Sequence, residues 1–215
     1  MTKGKFFNPV DQGDGRLQAP AAARNRDAIF DVLKDHIPQH GTILEVGCGT
    51  GEHAMWFAPR LKAHHWLPTD TERAHLVSAL AWSRHAGVAN ILTPRRLDIL
   101  DQPWPLDNLA AEVTTIVAIN LVHIAPVEVM EALIREAGRL LPSGGMLYLY
   151  GPFKRGGVHT APSNELFDQS LKMQNPRWGV RNMESATELA VRARLAEPVI
   201  LDMPANNFSL IFKKP

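Results

Sequence analysis

The run Glu45-Val46-Gly47-Cys48-Gly49-Thr50-Gly51-Glu52-His53 holds the residue types and spacing in this chain best suited to chemistry. Three glycines at alternate positions stand between the apolar Thr42-Ile43-Leu44 and a segment of helical character. Glycine loses the most backbone entropy on folding, so it is kept where a Cβ would block a turn or a close approach. Three together make a floor of bare backbone for a ligand, and a helix start behind them offers unpaired N–H groups and partial positive charge. That arrangement suits a nucleotide-like cofactor. A dinucleotide loop follows G-x-G-x-x-G, with the pyrophosphate on the helix N-terminus. Here the third glycine comes one residue early. Glu45 also closes the strand, where its charge disfavours a pyrophosphate and favours a cation. Cys48, the only cysteine, reads as a nucleophile or as a small packed residue, and its place inside the turn favours packing.

The elements that must position this loop alternate regularly. After an arm through Pro20 without regular structure, anchored by Phe6, Phe7, Val10 and Leu17, a helix is predicted over 21–36, with Ile29, Val32 and Leu33 at helical spacing. Strands follow at 42–46, 64–69, 91–97, 113–120 and 146–150. Helices lie between them at 52–61, 72–86, 106–111 and 127–141. Beyond Tyr150 a long loop over 151–162 leads to helices at 164–173 and 184–196. Two closing strands, 199–203 and 208–213, flank the turn residues Pro204-Ala205-Asn206-Asn207. Apolar strands alternating with amphipathic helices predict an α/β fold. The expectation is a Rossmann-like, seven-strand, mostly parallel sheet with helices on both faces and a C-terminal antiparallel hairpin.

Ligands of such sheets sit outside the carboxyl ends of the strands, where the strand order reverses. The predicted tips carry Glu45 with the glycine loop, then Asp70-Thr71, Asp98-Ile99 and Asn120. Asp70 lies about twenty residues past the loop, where an acid can grip a ribose diol. Asp70 and Asp98 also read as caps of the turns that follow them.

The E-x-G-x-G-x-G pattern at Glu45, Gly47, Gly49 and Gly51 resembles motif I of the class I methyltransferases, whose cofactor S-adenosylmethionine carries an amine and a sulfonium but no phosphate. Longer stretches resemble one family within that class. They are Trp66-Leu67-Pro68-Thr69-Asp70, Asn120-Leu121-Val122-His123-Ile124, Tyr150-Gly151-Pro152-Phe153, Ser163-Asn164-Glu165-Leu166-Phe167-Asp168, Trp178-Gly179-Val180-Arg181-Asn182 and Met203-Pro204-Ala205-Asn206-Asn207. The family is that of the uncharacterised methyltransferase-like protein 26, and the likeness runs from about Pro20 to the C-terminus. The resemblance implies that Gly47, Gly49, Thr50 and Gly51 approach the cofactor while Glu45 orients its amine end. It implies further that Asp70, with Thr71, takes the ribose hydroxyls. Asp98 accepts from the adenine amino group, Ile99 packs on the ring, and Asn120 faces the methionine portion. Arg24 and Asn25, on a lid helix, fold over its carboxylate. The family often has Ala-Ser where this chain has Gly47-Cys48, which brings this chain nearer the general motif.

Methyl transfer from a sulfonium mainly needs two reactants held in near-attack geometry, and a base only where the acceptor must lose a proton. His123 is the candidate base and Tyr150 a candidate acceptor contact; each reads equally as a packing residue. Asn164, Trp178, Arg181 and Asn206 are candidate substrate contacts. Arg181 can clamp a carboxylate or phosphate or pair with Glu184, Trp178 walls a pocket or covers the sheet, and Asn206-Asn207 also read as turn formers. No metal site is expected. His64-His65 point to opposite faces of a strand, and the nine histidines show no ligand spacing. After the fourth predicted strand, Asn120-Leu121-Val122-His123 lacks the prolines and aromatic that enzymes methylating base amino groups carry there.

A length of 215 residues fits one domain, divided into an arm and lid helix (1–40), a cofactor-binding core (41–150) and an acceptor side (151–215). The net charge of +1 comes from interspersed residues, with Lys3, Lys5 and Lys213-Lys214 only at the ends. The basic stripe that nucleic acid demands is missing, as are a membrane-length apolar run and a signal-peptide core. A lone cysteine suits a reducing compartment. The sequence therefore predicts a soluble, cytoplasmic methyltransferase with a small-molecule acceptor and no nucleic-acid or membrane partner. Two rivals remain: a nicotinamide-dependent oxidoreductase and a non-catalytic S-adenosylmethionine-binding protein.

Overall fold

The computed structural model describes residues 9–215, so Lys3, Lys5, Phe6 and Phe7 lie outside the described residues. From Pro9 onward the arm has regular structure, where the sequence had suggested none. Two short strands, β1 (Val10–Asp11) and β2 (Leu17–Gln18), pair antiparallel. The Leu17 N–H donates to Ser78 Oγ at 2.8 Å, and the Leu17 carbonyl accepts from Trp82 Nε1 at 2.8 Å. The signal for this strap lay in Ser78 and Trp82, sixty residues away, beyond any local pattern.

Helix α1 (Pro20–His36) opens on a proline, which sets the helical φ and wastes no N–H at the first position. The elements β3 (Gly41–Val46), α2 (Glu52–Phe57), β4 (His64–Asp70), α3 (Arg73–Ala86), β5 (Arg95–Arg96), β6 (Val113–Ile119), α4 (Val127–Leu140) and β7 (Met146–Gly151) follow. Then come the hairpin strands β8 (Lys154–Arg155) and β9 (Val158–His159), helices α5 (Pro162–Gln174) and α6 (Met183–Arg192), and the strands β10 (Val199–Met203) and β11 (Asn207–Lys213). The central sheet has the order β10-β11-β7-β6-β3-β4-β5. Its strands are parallel except β11, which runs antiparallel to both neighbours. The expected architecture is thus present.

Alternation along the strands divides the core between the two faces. Leu44, Val46, Ile116, Ala118, Leu147 and Leu149 pack with Leu133, Ala137 and Ala186 from α4 and α6. Ile43, Trp66, Val117, Tyr148 and Tyr150 pack with Ile29, Leu33 and Phe57 from α1 and α2.

Several boundaries differ for local reasons. Pro59 turns the end of the predicted 52–61 helix into a 3₁₀ turn at Ala58–Arg60. The predicted 91–97 strand shrinks to β5 and one bridge from Ile91 to Trp66, since Pro94 cannot donate to a ladder. The 106–111 helix is a 3₁₀ stretch, Asp107–Glu112, and the 184–196 helix ends at Arg192, with Arg194 at φ +62°. The 151–162 loop contains the β8–β9 hairpin, whose turn places Gly156 and Gly157 at φ +58° and +77°. That is the pair of positive φ values a two-residue hairpin turn favours. The sixth strand stops at Ile119, because Asn120 sits at φ +60° and sends the chain into a 3₁₀ turn, Leu121–His123.

Candidate active site

Along the sheet, the connections reverse direction between β3 and β6, and a crevice of about 770 Å³ opens there. Its floor is Val46, Gly47, Cys48, Gly49 and Thr50, with His53 beside them; its roof is Ala19, Ala21, Ala22 and Asn25 at the start of α1. Toward β4 and β5 it is lined by Asp70, Thr71, Glu72, His75, Leu97, Asp98 and Ile99. Toward β6 the lining is Ile119, Asn120, Leu121, Ile124, Ala125, Pro126 and Val129, with Gln174 at the end of α5 and Trp178 just beyond it.

Asp70 is the organising acid. Its Oδ2 accepts from the Gly49 N–H at 2.9 Å, and its Oδ1 accepts from the Glu72 N–H at 2.9 Å and faces His75 Nδ1 at 3.1 Å. Burial works against the charge of Asp70, but these hydrogen bonds outweigh it and hold the carboxyl below its ordinary pKa. The same contact raises the pKa of His75. Asp70 therefore both shapes the glycine loop and faces the crevice. Asp98 turns the chain through its Oδ1, which accepts from the Leu100 N–H at 3.0 Å.

The glycines divide in their roles. Gly47 and Gly49 lie on the floor, and a Cβ on Gly47 would come within 2.8 Å of the Leu121 side chain. Gly51 does not line the crevice. It stands at φ +82°, and a Cβ there would lie 2.5 Å from the Ala79 backbone, so its glycine serves the packing of α2 on α3. With only six residues, α2 also gives less dipole than the longer predicted helix.

Glu45 is not on the wall either. It is buried beneath the floor, with Oε2 accepting from Trp66 Nε1 at 2.8 Å and Oε1 4.0 Å from His53 Nδ1. Burial pushes its pKa up to about 8, and that of His53 down to about 4. His53 Nε2 meets Asn25 Oδ1 at 2.9 Å, and Asn25 also bonds the Tyr150 hydroxyl. Tyr150 thus ends a buried chain under the roof rather than opening on the crevice, and burial raises its pKa to about 12. Arg24 is exposed and away from the lining.

His123 is wholly buried, its ring edge-on to Phe153 with 4.7 Å between centroids. Its Nδ1 accepts from the Arg181 N–H at 3.2 Å, which leaves the ring proton on Nε2. That Nε2 has no partner among the described residues and lies 2.3 Å from where a Cβ on Gly151 would stand. Burial, then the nearby Arg181 guanidinium, lowers its pKa to about 3. It does not line the crevice. Arg181 makes neither of its expected pairings: it donates to the carbonyls of Val122 at 2.9 Å, of Ala125, and of Arg177 at 3.0 Å. Asn164 Nδ2 donates to the Asn206 carbonyl at 2.8 Å, and Asn206 Nδ2 donates to Ser163 Oγ at 3.2 Å. This pair ties α5 to the closing hairpin, outside the crevice. Of the four substrate candidates, only Trp178 reaches it.

Glu52 is a residue that motif reading passed over. It is buried, and its Oε2 accepts from the Ala19 N–H at 2.6 Å and from Thr50 Oγ1 at 2.8 Å. Ser78 Oγ donates to the Thr50 carbonyl at 2.7 Å. Floor and roof are thereby tied together. The one available signal was a buried-type neighbourhood around an acid directly after the glycine run.

This fold is the one shared by class I methyltransferases. A putative O-methyltransferase from Nostoc punctiforme superposes with a TM-score of 0.77 at 15% identity, over 91% of this chain and 57% of that one. An O-methyltransferase family 2 protein from Planctomyces limnophilus, solved with apigenin, gives 0.74 at 18% identity, over 91% and 58%. The S-adenosylmethionine-dependent methyltransferase SibL, in its apo form, gives 0.74 at 16%, over 91% and 56%. The chain spans somewhat over half the length of these structures. By sequence, residues 16–214 match the family described as protein of unknown function DUF938, and the chain belongs to it.

Proposed function

We propose that this protein is an S-adenosylmethionine-dependent methyltransferase acting on a small molecule. One observation carries the reading: the crevice lining contains Asp70, Glu72 and Asp98 and, among the described residues, no lysine or arginine. A wall with carboxylates and without cations fits a cofactor that bears positive charge and no phosphate, and it disfavours the pyrophosphate of the nicotinamide alternative. The crevice volume also lies within the ordinary range for small-molecule sites.

In this reading Asp70 and Thr71 receive the ribose, Asp98 and Ile99 the adenine, and Gly47, Gly49, Thr50 and Asn120 the methionine end, beneath Asn25. Glu45, Gly51 and Glu52 act from behind by shaping the floor. The bound cofactor supplies a methyl group on a sulfonium, ready for in-line displacement. The protein's part is to hold, orient and dry the two reactants, for which well-oriented pairs gain on the order of 7–11 kcal/mol. The resemblance to the family of methyltransferase-like protein 26 belongs to the same reading.

Thermal-shift measurements with S-adenosylmethionine, S-adenosylhomocysteine, NAD and NADP test it. A ligand at a hundred times Kd adds about 2.7 kcal/mol, which corresponds to about 5–10 °C in a chain of this size. Stabilisation by the two S-adenosyl compounds alone is expected. A larger shift with a nicotinamide, or none with the S-adenosyl pair, overturns the proposal. A shift without methyl transfer to any acceptor would favour the non-catalytic binder.

A further inference from the structure

The crevice is chemically lopsided. Its three acids and His75 lie toward β4 and β5, while the β6 end is walled by Leu121, Ile124, Ala125, Pro126, Val129 and Trp178. The polar groups at that end, Asn120 and Gln174, are amides, which neither take a proton nor neutralise an anion. The groups nearest in kind to a base are each held by a protein partner or sealed off from the crevice. His123 is sealed beneath Gly151 with Nδ1 occupied by the Arg181 N–H. His53 lines the crevice, but its Nε2 is bonded to Asn25 and burial lowers its pKa to about 4, which makes it a weak base. His75 is held by Asp70, and the Tyr150 hydroxyl by Asn25. Arg181 lies outside the lining and donates through Nε and Nη2 to three backbone carbonyls.

From this arrangement, and resting on the cofactor reading above, we infer that the methyl acceptor is an apolar thiol that ionises without a protein base and lays its hydrocarbon part against the Leu121–Trp178 wall. The chemistry selects sulfur. A phenol near pKa 10 or an ammonium near 10.4 must lose a proton to a base before attack, whereas a thiol near 8.5 is closer to ionising by itself at neutral pH. Its thiolate is the strongest common nucleophile among side-chain-like groups. A carboxylate acceptor arrives ionised but requires a cation, and the described wall offers none. The step balances without a further reagent. The acceptor's S–H proton goes to water, and its sulfur lone pair forms the new S–CH₃ bond. The methyl–sulfonium bond breaks with its electron pair on the departing sulfur, leaving two neutral thioethers.

The test uses the full chain with S-adenosylmethionine and four acceptors that share one ring: benzenethiol, phenol, benzylamine and benzoate. Methyl transfer is read by mass spectrometry and corrected for reaction without enzyme. General base catalysis contributes about 10²–10⁴-fold, so benzenethiol should exceed phenol and benzylamine in kcat/KM by at least about a hundredfold. The pH at which kcat/KM levels off should move upward from benzenethiol to the less acidic phenylmethanethiol, because the titrating group is the acceptor's own. A binding readout stands apart from turnover: with S-adenosylhomocysteine present, methyl phenyl sulfide should quench tryptophan fluorescence in the parent and not in Trp178→Phe. Failure of S-adenosylhomocysteine to bind overturns the cofactor reading. Cofactor binding accompanied by faster phenol methylation, a pH midpoint fixed across the two thiols, or no quenching by the sulfide overturns the thiol assignment alone.

Discussion

Glu45 offers a quantitative test of where the motif's acid sits. If it lies beneath the floor against Trp66 and His53, the folded protein holds a proton there that the unfolded chain releases. Its pKa rises from 4.5 to about 8, first through burial and in smaller part through Asp70, against the opposing hydrogen bond from Trp66. A raised folded pKa means that stability is complete below pH 4.5 and falls as pH climbs, levelling off near pH 8. At 1.36 kcal/mol per unit, the full interval is worth about 5 kcal/mol. His53 has its pKa lowered to about 4 from 6.5, so its own effect lies below pH 6.5. Between about pH 6.5 and about pH 8 the raised pKa of His75 also acts, but equally in both proteins, so the parent should lose about 2 kcal/mol relative to Glu45→Gln, which keeps an acceptor for Trp66 and cannot ionise. Urea unfolding of both proteins at several pH values, without ligand, measures the difference. Parallel stability curves would refute the reasoning and return Glu45 to the crevice, where solvent or the cofactor's amine would bear its charge.

The other predictions follow from single contacts. Asp70→Asn removes the charge from a carboxylate facing the crevice; at about 1.5–3 kcal/mol for a charged hydrogen bond, S-adenosylhomocysteine affinity by calorimetry should fall about tenfold to a hundredfold, and unchanged affinity removes Asp70 from the site. Gly51→Ala meets both φ +82° and the Ala79 backbone, so it should lose about 1–3 kcal/mol in chemical denaturation. His123→Ala leaves a cavity beside Phe153 and an unpaired Arg181 N–H, so it should destabilise by at least about 2 kcal/mol; an unchanged melting temperature with lost turnover would restore His123 as a base. Glu52→Ala should lower the melting temperature more than Glu52→Gln, which retains an acceptor oxygen for Ala19.

What the sequence revealed was what short-range periodicity and spacing encode. The strands were legible as apolar runs such as Val113–Ile119 and Met146–Gly151, and the tips carrying Asp70, Asp98 and Asn120 do converge on one crevice. Side-chain direction was not legible, because it depends on which face of a strand or turn each residue occupies. Glu45 and Val46 are neighbours in sequence, yet only Val46 lines the crevice. His123 stood at the expected place in the chain, but the 3₁₀ turn entered through Asn120 rotates its ring under Gly151. Arg181 and Asn164 looked like ligand-binding groups by type, and their partners proved to be backbone carbonyls distant in sequence.

Those misassigned residues explain how an apolar crevice keeps its shape. The loop at 120–126 carries one wall, and little in its own sequence would fix it. Arg181 grips the Val122 and Ala125 carbonyls, while the Gly179 N–H donates to the His123 carbonyl at 3.0 Å. The wall is therefore set by the segment that also delivers Trp178. On the opposite side, Glu52 joins the first peptide of the roof to the hydroxyl of Thr50. Floor, roof and the wall at 120–126 thus come from distant parts of the chain; the Glu52 and Arg181 bonds that hold them are charge-assisted, roughly twice as strong as neutral ones. Such joints need polar residues next to the site but turned away from it. That is why residue type alone pointed to Arg181 and His123 as reacting groups, whereas their contacts hold the crevice wall in place.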